Sequence, residues 1–212
     1  MSITRRQLVG AALAAAAIPV AAPAFAQSAA SRWFAGTTED NGVVYRATDF
    51  KKIKPHWRRQ LVKYYSTEPQ GTIVIDTRHH FLYVIFENQT ALRYGVGVGK
   101  EGFKWYGRAQ IDRKAIWPDW TPPPEMLLRR PELPKFMKGG PDNPLGPRAL
   151  YLYRNGGDLG YRVHGTVEPW SIGSDVSSGC IRMFPEDVID LYQRTPIGTN
   201  VLVLEHIAEK GI

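Results

Sequence analysis

Cysteine occurs once in the 212 residues, at Cys180. A single thiol excludes an internal disulfide framework. With no Cys-x-x-Cys and no His-x-x-x-His, the chain also lacks the spaced ligand pairs of a zinc site. Neither a metal nor a cofactor is expected. No uninterrupted apolar run is long enough for a bilayer span of roughly 20 residues. The best candidate, Leu8 to Ala22, is broken by Pro19. Tight Lys/Arg runs interleaved with aromatics are missing, which argues against nucleic-acid binding. Acidic residues are in deficit, 20 against 27 basic ones, for a formal charge of +7.

Residues 1–26 have the pattern of a cleaved export signal. Thr4-Arg5-Arg6-Gln7-Leu8-Val9 is a charged start, Leu8 to Ala22 an alanine-rich apolar stretch, and Ala24-Phe25-Ala26 a small-x-small cleavage site. The paired arginines resemble the twin-arginine signal, although a general-secretion signal can also begin with two arginines. The expected location is the periplasm or cell envelope. Residues 27–212 then form one domain, large enough to bury a core. A basic exported domain suits an anionic wall polymer or membrane surface, and its charge equally keeps it soluble.

The rest of the chain reads coarsely. Gln27 to Asn41 is polar and without period, as in a mobile leader. Pro55 to Tyr65 opens with proline and lacks breakers, as in a short helix. From Gly71 the pattern changes to strands at Thr72 to Asp76, Phe81 to Phe86 and Ala91 to Val98, with turns at Thr77-Arg78-His79-His80 and Glu87-Asn88-Gln89. Residues 117–147 hold most of the chain's 16 prolines, which excludes a central strand and suggests a binding loop or lid. There Trp117, Trp120 and Pro122-Pro123-Pro124 are expected to wall a substrate groove; two core tryptophans would read the same. Strands resume at Ala149 to Tyr153 and Tyr161 to His164, a helix runs from Pro185 to about Arg194, and Thr199 to Glu205 is a last strand. The expected fold is mainly β, sandwich-like or barrel-like, with a few peripheral helices.

An unpaired cysteine in an exported chain is either buried and inert or kept for its thiol. Cys180 follows Ser177-Ser178-Gly179, which is loop composition and favours a reactive thiol. An ordinary thiol is only a few per cent thiolate at neutral pH, so a nucleophilic cysteine needs a base. His164 ends a strand, and Gly165, Gly173 and Gly179 let the following chain return to it. A hydrogen-bonded core histidine is the alternative there. His56 falls in the expected helix, His79 and His80 in a turn, and His206 after the last strand. Glu168, Asp175 or a backbone carbonyl could fix the imidazole tautomer. Backbone N–H groups around Gly179-Cys180 could serve an acyl oxyanion.

Taken together, His164-Gly165-Thr166, Ser171-Ile172-Gly173 and Ser177-Ser178-Gly179-Cys180-Ile181-Arg182-Met183 resemble the signature of the L,D-transpeptidase family, the YkuD-type catalytic domain. The resemblance extends through Gly71 to Asp76, Phe81-Leu82-Tyr83 and Asn143-Pro144-Leu145-Gly146, covering roughly residues 70 to 205. It implies a catalytic domain at 71–206, preceded by a leader and short N-terminal helix at 27–70. It also implies an exported cysteine acyltransferase acting on peptidoglycan stem peptides. Cys180 would attack the carbonyl of the L-centred third residue and release the terminal D-alanine. An amine would then take the acyl group: a neighbouring stem, giving a 3→3 cross-link, a free D-amino acid, or an envelope protein.

In this reading His164 is base and then acid, and the Gly165 carbonyl holds its ring. Gly179, Ser178 and Arg182 face oxyanion or substrate, although Arg182 could instead pair with Glu186 or Asp187. Ser178 stands where many members have histidine, which puts acceptor preference in doubt. A cell-wall peptide hydrolase and a non-catalytic peptidoglycan-binding module are the alternatives.

Overall fold

A computed structural model describes residues 30–100 and 105–205. The export signal and His206 lie outside the described residues, and the fold below is that of the unit beginning at Arg32. In chain order its elements are β1 (Phe34–Asp40), β2 (Val43–Thr48), β3 (Gln60–Lys63), β4 (Ile73–Asp76), β5 (Phe81–Ile85), β6 (Thr90–Gly95), β7 (Val98–Gly99) and β8 (Gly107–Ile116). Helix α1 (Pro124–Arg129) follows, then β9 (Arg148–Arg154), β10 (Gly157–His164), β11 (Asp175–Ser177), β12 (Ile181–Arg182), helix α2 (Pro185–Arg194) and β13 (Thr199–Val203).

Turn chemistry sets the hairpins. Asn41-Gly42 joins β1 to β2 with φ of 50° and 77°, and Asn155-Gly156 joins β9 to β10 with φ of 51° and 76°. Positive φ at both central residues gives the hairpin turn whose twist matches that of the strands it connects. Asp76 shapes the next turn, its Oδ1 accepting from the Arg78 and His79 N–H groups at 3.1 Å each.

Nine strands form one mixed sheet in the order β12-β10-β9-β8-β13-β4-β5-β6-β3. Alternating residues of these strands converge on one cluster that includes Ile73, Ile75, Leu82, Val84, Ile111, Leu150, Leu152, Val163, Ile181 and Val201. Gly97, just past β6, exchanges backbone hydrogen bonds with Arg182 of β12 at 2.9 and 2.8 Å. β12 is one end of the strand order and β6, which Gly97 follows, is next to the other, so these bonds draw the sheet round on itself like a barrel. Helix α2 covers it with Val188 and Leu191; its proline lies in the first turn with Glu186 and Asp187.

The fold is mainly β, as expected. Residues 27–70 differ from expectation in two places. Phe34 onward is a hairpin rather than a leader, because the Asn41-Gly42 turn pairs strands whose outer faces are polar. Pro55 to Tyr65 is a single 3-10 turn, Pro55–Trp57, followed by β3, which pairs antiparallel with β6. Gln60-Leu61-Val62-Lys63 alternates half-buried and exposed, the pattern of an edge strand, and pairing with β6 overrides the local helical preference.

Candidate active site

Strands β10 and β12 run parallel, with Val163 beside Ile181 and His164 beside Arg182. Val163 and Ile181 point into the core. Side chains alternate along a strand, so Arg162, His164, Cys180 and Arg182 share the opposite face. The loop between these strands is shaped to return Cys180 to that face. Ser177 is buried; its Oγ donates to the Cys180 carbonyl at 2.6 Å and accepts the Gly179 N–H at 3.1 Å. Gly179 has φ of 106°, a conformation that side-chain-bearing residues resist. Its N–H is already engaged by Ser177, which makes Ser177 a turn-forming residue that sequence inspection did not single out. Ser178 is half-buried beside it.

His164 is 5% exposed. Its Nδ1 donates to the Gly165 carbonyl at 2.6 Å, leaving Nε2 as the acceptor nitrogen. Of the other groups considered for that role, Glu168 accepts from Arg182 Nη1 at 2.7 Å, and Asp175 Oδ1 lies 2.7 Å from His80 Nε2. Arg182 therefore pairs with Glu168 and not with Glu186 or Asp187. Glu186 Oε1 accepts the Thr48 N–H at 2.8 Å, and Asp187 Oδ1 is 3.9 Å from Arg59.

Burial lowers the His164 pKa to about 3, assisted by the Arg182 and Arg162 charges and opposed by the Gly165 hydrogen bond. Burial pushes the Cys180 thiol up from its ordinary value, while Arg162 and, more weakly, Arg182 pull it down. The imidazole is thus held neutral, and the arginines favour the sulfur's anionic form.

The proline-rich stretch turns back toward this region. Trp117 donates its Nε1–H to the Asp40 backbone carbonyl and Oδ2, both at 3.0 Å, and meets Tyr45 edge-on at 5.6 Å. Trp120 and Met137 exchange backbone bonds at 2.8 Å, closing the loop on itself. Trp117, Tyr45 and Phe34 line a small, partly open cleft that also reaches Thr166 and Val167, just past His164.

The family model for the L,D-transpeptidase catalytic domain (YkuD) matches residues 70–203. The chain belongs to this family. A relative named "Probable L,D-transpeptidase ErfK/SrfK" from Escherichia coli K12 is 33% identical over 147 residues, which are 66% of this chain and 45% of that protein. The chain spans about half the length of the curated relatives it matches. A structure described as the Ldtfm-avibactam carbamoyl enzyme has a TM-score of 0.50 at 16% identity, covering 66% of this chain and 50% of that one. Another, from Brucella melitensis, is described as a probable carnitine operon oxidoreductase. It is 47% identical, with a TM-score of 0.49, covering 74% of this chain and 99% of that one. That description remains the other protein's own.

Proposed function

We propose that this protein is an exported L,D-transpeptidase whose nucleophile is Cys180, acting on peptidoglycan stem peptides in the cell envelope. One observation carries the reading: the Gly165 carbonyl fixes the His164 tautomer at the end of β10, the strand paired with β12, which Cys180 directly precedes. The proton passes from Sγ to His164 Nε2, and the thiolate sulfur attacks the carbonyl carbon of the third stem residue. The C–S bond forms, the C–N bond to D-alanine breaks, and Nε2 returns the proton to the departing amine. An acceptor amine then attacks the thioester and gives its proton to His164 Nε2, forming a new C–N bond and expelling the thiolate, which takes that proton back. The backbone N–H groups of Ser178 and Cys180 serve the developing oxyanion and Arg182 the donor carboxylate, while the Gly179 N–H stays with Ser177. Trp117 and its cleft wall one side of the donor groove.

The test is mass spectrometry of a tetrapeptide stem incubated with pure protein and an amine acceptor. Loss of D-alanine with gain of the acceptor is expected, together with an acyl adduct on the protein that Cys180→Ala lacks. Loss of D-alanine with gain of water alone would make it a hydrolase. An unchanged stem and an unmodified protein would leave a wall-binding module.

A further inference from the structure

A β-bulge interrupts the pairing of β10 with β9 between Asp158 and Arg162, and Gly160 inside it has φ of 75°. Such bulges change the direction in which the following side chain points. Here that side chain is Arg162. Its Nη1 donates to the Gly160 carbonyl at 2.5 Å, and its guanidinium lies over the Tyr151 ring, 5.0 Å from the centroid. Its acidic neighbour, Asp158, is no nearer than 4.0 Å, so most of the charge is left for another partner. The parallel register pairs Val163 with Ile181, and Arg162 and Cys180 are the residues that directly precede that pair.

From this geometry we infer that Arg162 is a further catalytic residue, a fixed cation on the Cys180 sulfur that stabilises the thiolate before attack and when the acyl group leaves. Arg162 also pulls the thiol's pKa down more strongly than Arg182 does, against the upward push of burial. Arg182 is drawn toward Glu168, whereas Arg162 is held by a carbonyl and an aromatic face that leave its charge intact. The groups facing the sulfur are therefore His164 and Arg162 from β10 and Arg182 from β12, with Asp158 and Glu168 behind the arginines. His164 accepts the proton, and Arg162 keeps the sulfur anionic once the proton has gone. The inference rests on Cys180 being the nucleophile, but its test reads the thiol alone and needs no peptide substrate.

The experiment is the pH profile of Cys180 alkylation by iodoacetamide, followed by intact-protein mass spectrometry on the full chain. Arg162→Gln and Arg162→Met both remove the charge, and Met keeps the aliphatic stem. For either folded variant the midpoint should rise by about one pH unit, making alkylation about tenfold slower below it. Arg162→Lys should recover most of that loss. Arg113→Gln, which removes the arginine lying 4.1 Å over the same Tyr151 ring, should leave the profile unchanged. A wild-type midpoint in a folded, uncharged Arg162 variant overturns the assignment, as does an equal shift from Arg113→Gln. A shifted midpoint in a protein that leaves stem peptides untouched would uphold the Arg162–Cys180 pairing and reject the transpeptidase reading.

Discussion

Burial decides the charge of His164. With a pKa of about 3 in the folded chain, the ring is neutral at every pH where a thiolate could form. The pH profile of acylation should therefore lack an inflection near 6.5, the ordinary histidine value. His164→Ala should slow acylation by about 10² to 10⁴-fold, measured as the rate of adduct formation. A retained wild-type rate would remove His164 from the chemistry. The linkage has a definite sign. The folded pKa lies below the unfolded one, so this group's contribution to stability is complete above about pH 6.5 and is lost as pH falls toward 3. Cys180 and His164 were legible as candidates because loop composition and a strand end are local features. Arg162 was not, since only the bulge and the β10/β12 register bring it to the sulfur.

At the scale of elements, the segment ahead of the family match supports the loop that carries Cys180. Trp57 packs with Ile53, Phe50, Ile172 and Phe184, and a Cβ built on Gly173 would meet its ring at 2.5 Å. The position also has φ of 81°, so a side chain at Gly173 is resisted twice, by backbone and by the indole. Gly173→Ala should destabilise by more than the roughly 1 to 2 kcal/mol of a left-handed residue alone. In the Trp57→Ala background the same change should cost less, because the clash has gone while the φ penalty remains. A double-mutant cycle of thermal melts measures that difference, and additive costs would rule out the wedge. Hairpins with Asn-Gly turns or dense β-branched runs are readable from sequence. Strand β8 is harder: only Ala109 and Ile111 of Gly107–Ile116 are buried, so its pattern is too sparse to stand out. Strand β3 depends on β6, and a pairing partner distant in sequence leaves no local trace.

Over the whole molecule, one ionic cluster joins the N-terminal segment, the sheet and the helix. Arg59 reaches Asp190 at 2.8 Å, the fully buried Tyr94 donates to Asp190 at 2.5 Å, and Arg194 pairs with the same carboxylate at 2.8 and 2.9 Å. Asp190 is well partnered. Asp187, one helical turn earlier and 2% exposed, is not: its Oδ1 is 3.9 Å from Arg59 and its Oδ2 has no hydrogen-bond partner. Burial pushes its pKa up to about 7, Arg59 opposes the rise, and Glu186 and Asp190 add to it. A carboxyl raised above its unfolded value of 3.8 favours the folded state fully below that pH, and the advantage is lost as pH rises through about 7. The ceiling on this loss is about 4 kcal/mol, because each pH unit separating the folded from the unfolded value is worth about 1.4 kcal/mol. Asp187→Asn keeps the shape and removes the charge. It should leave the melting temperature nearly unchanged at about pH 3, where the native carboxyl is neutral folded and largely neutral unfolded, and raise it at about pH 8. A lower melting temperature for the variant at the higher pH would mean that Asp187 is ionised at little cost and that its attraction to Arg59 outweighs the burial, reversing the sign of its contribution.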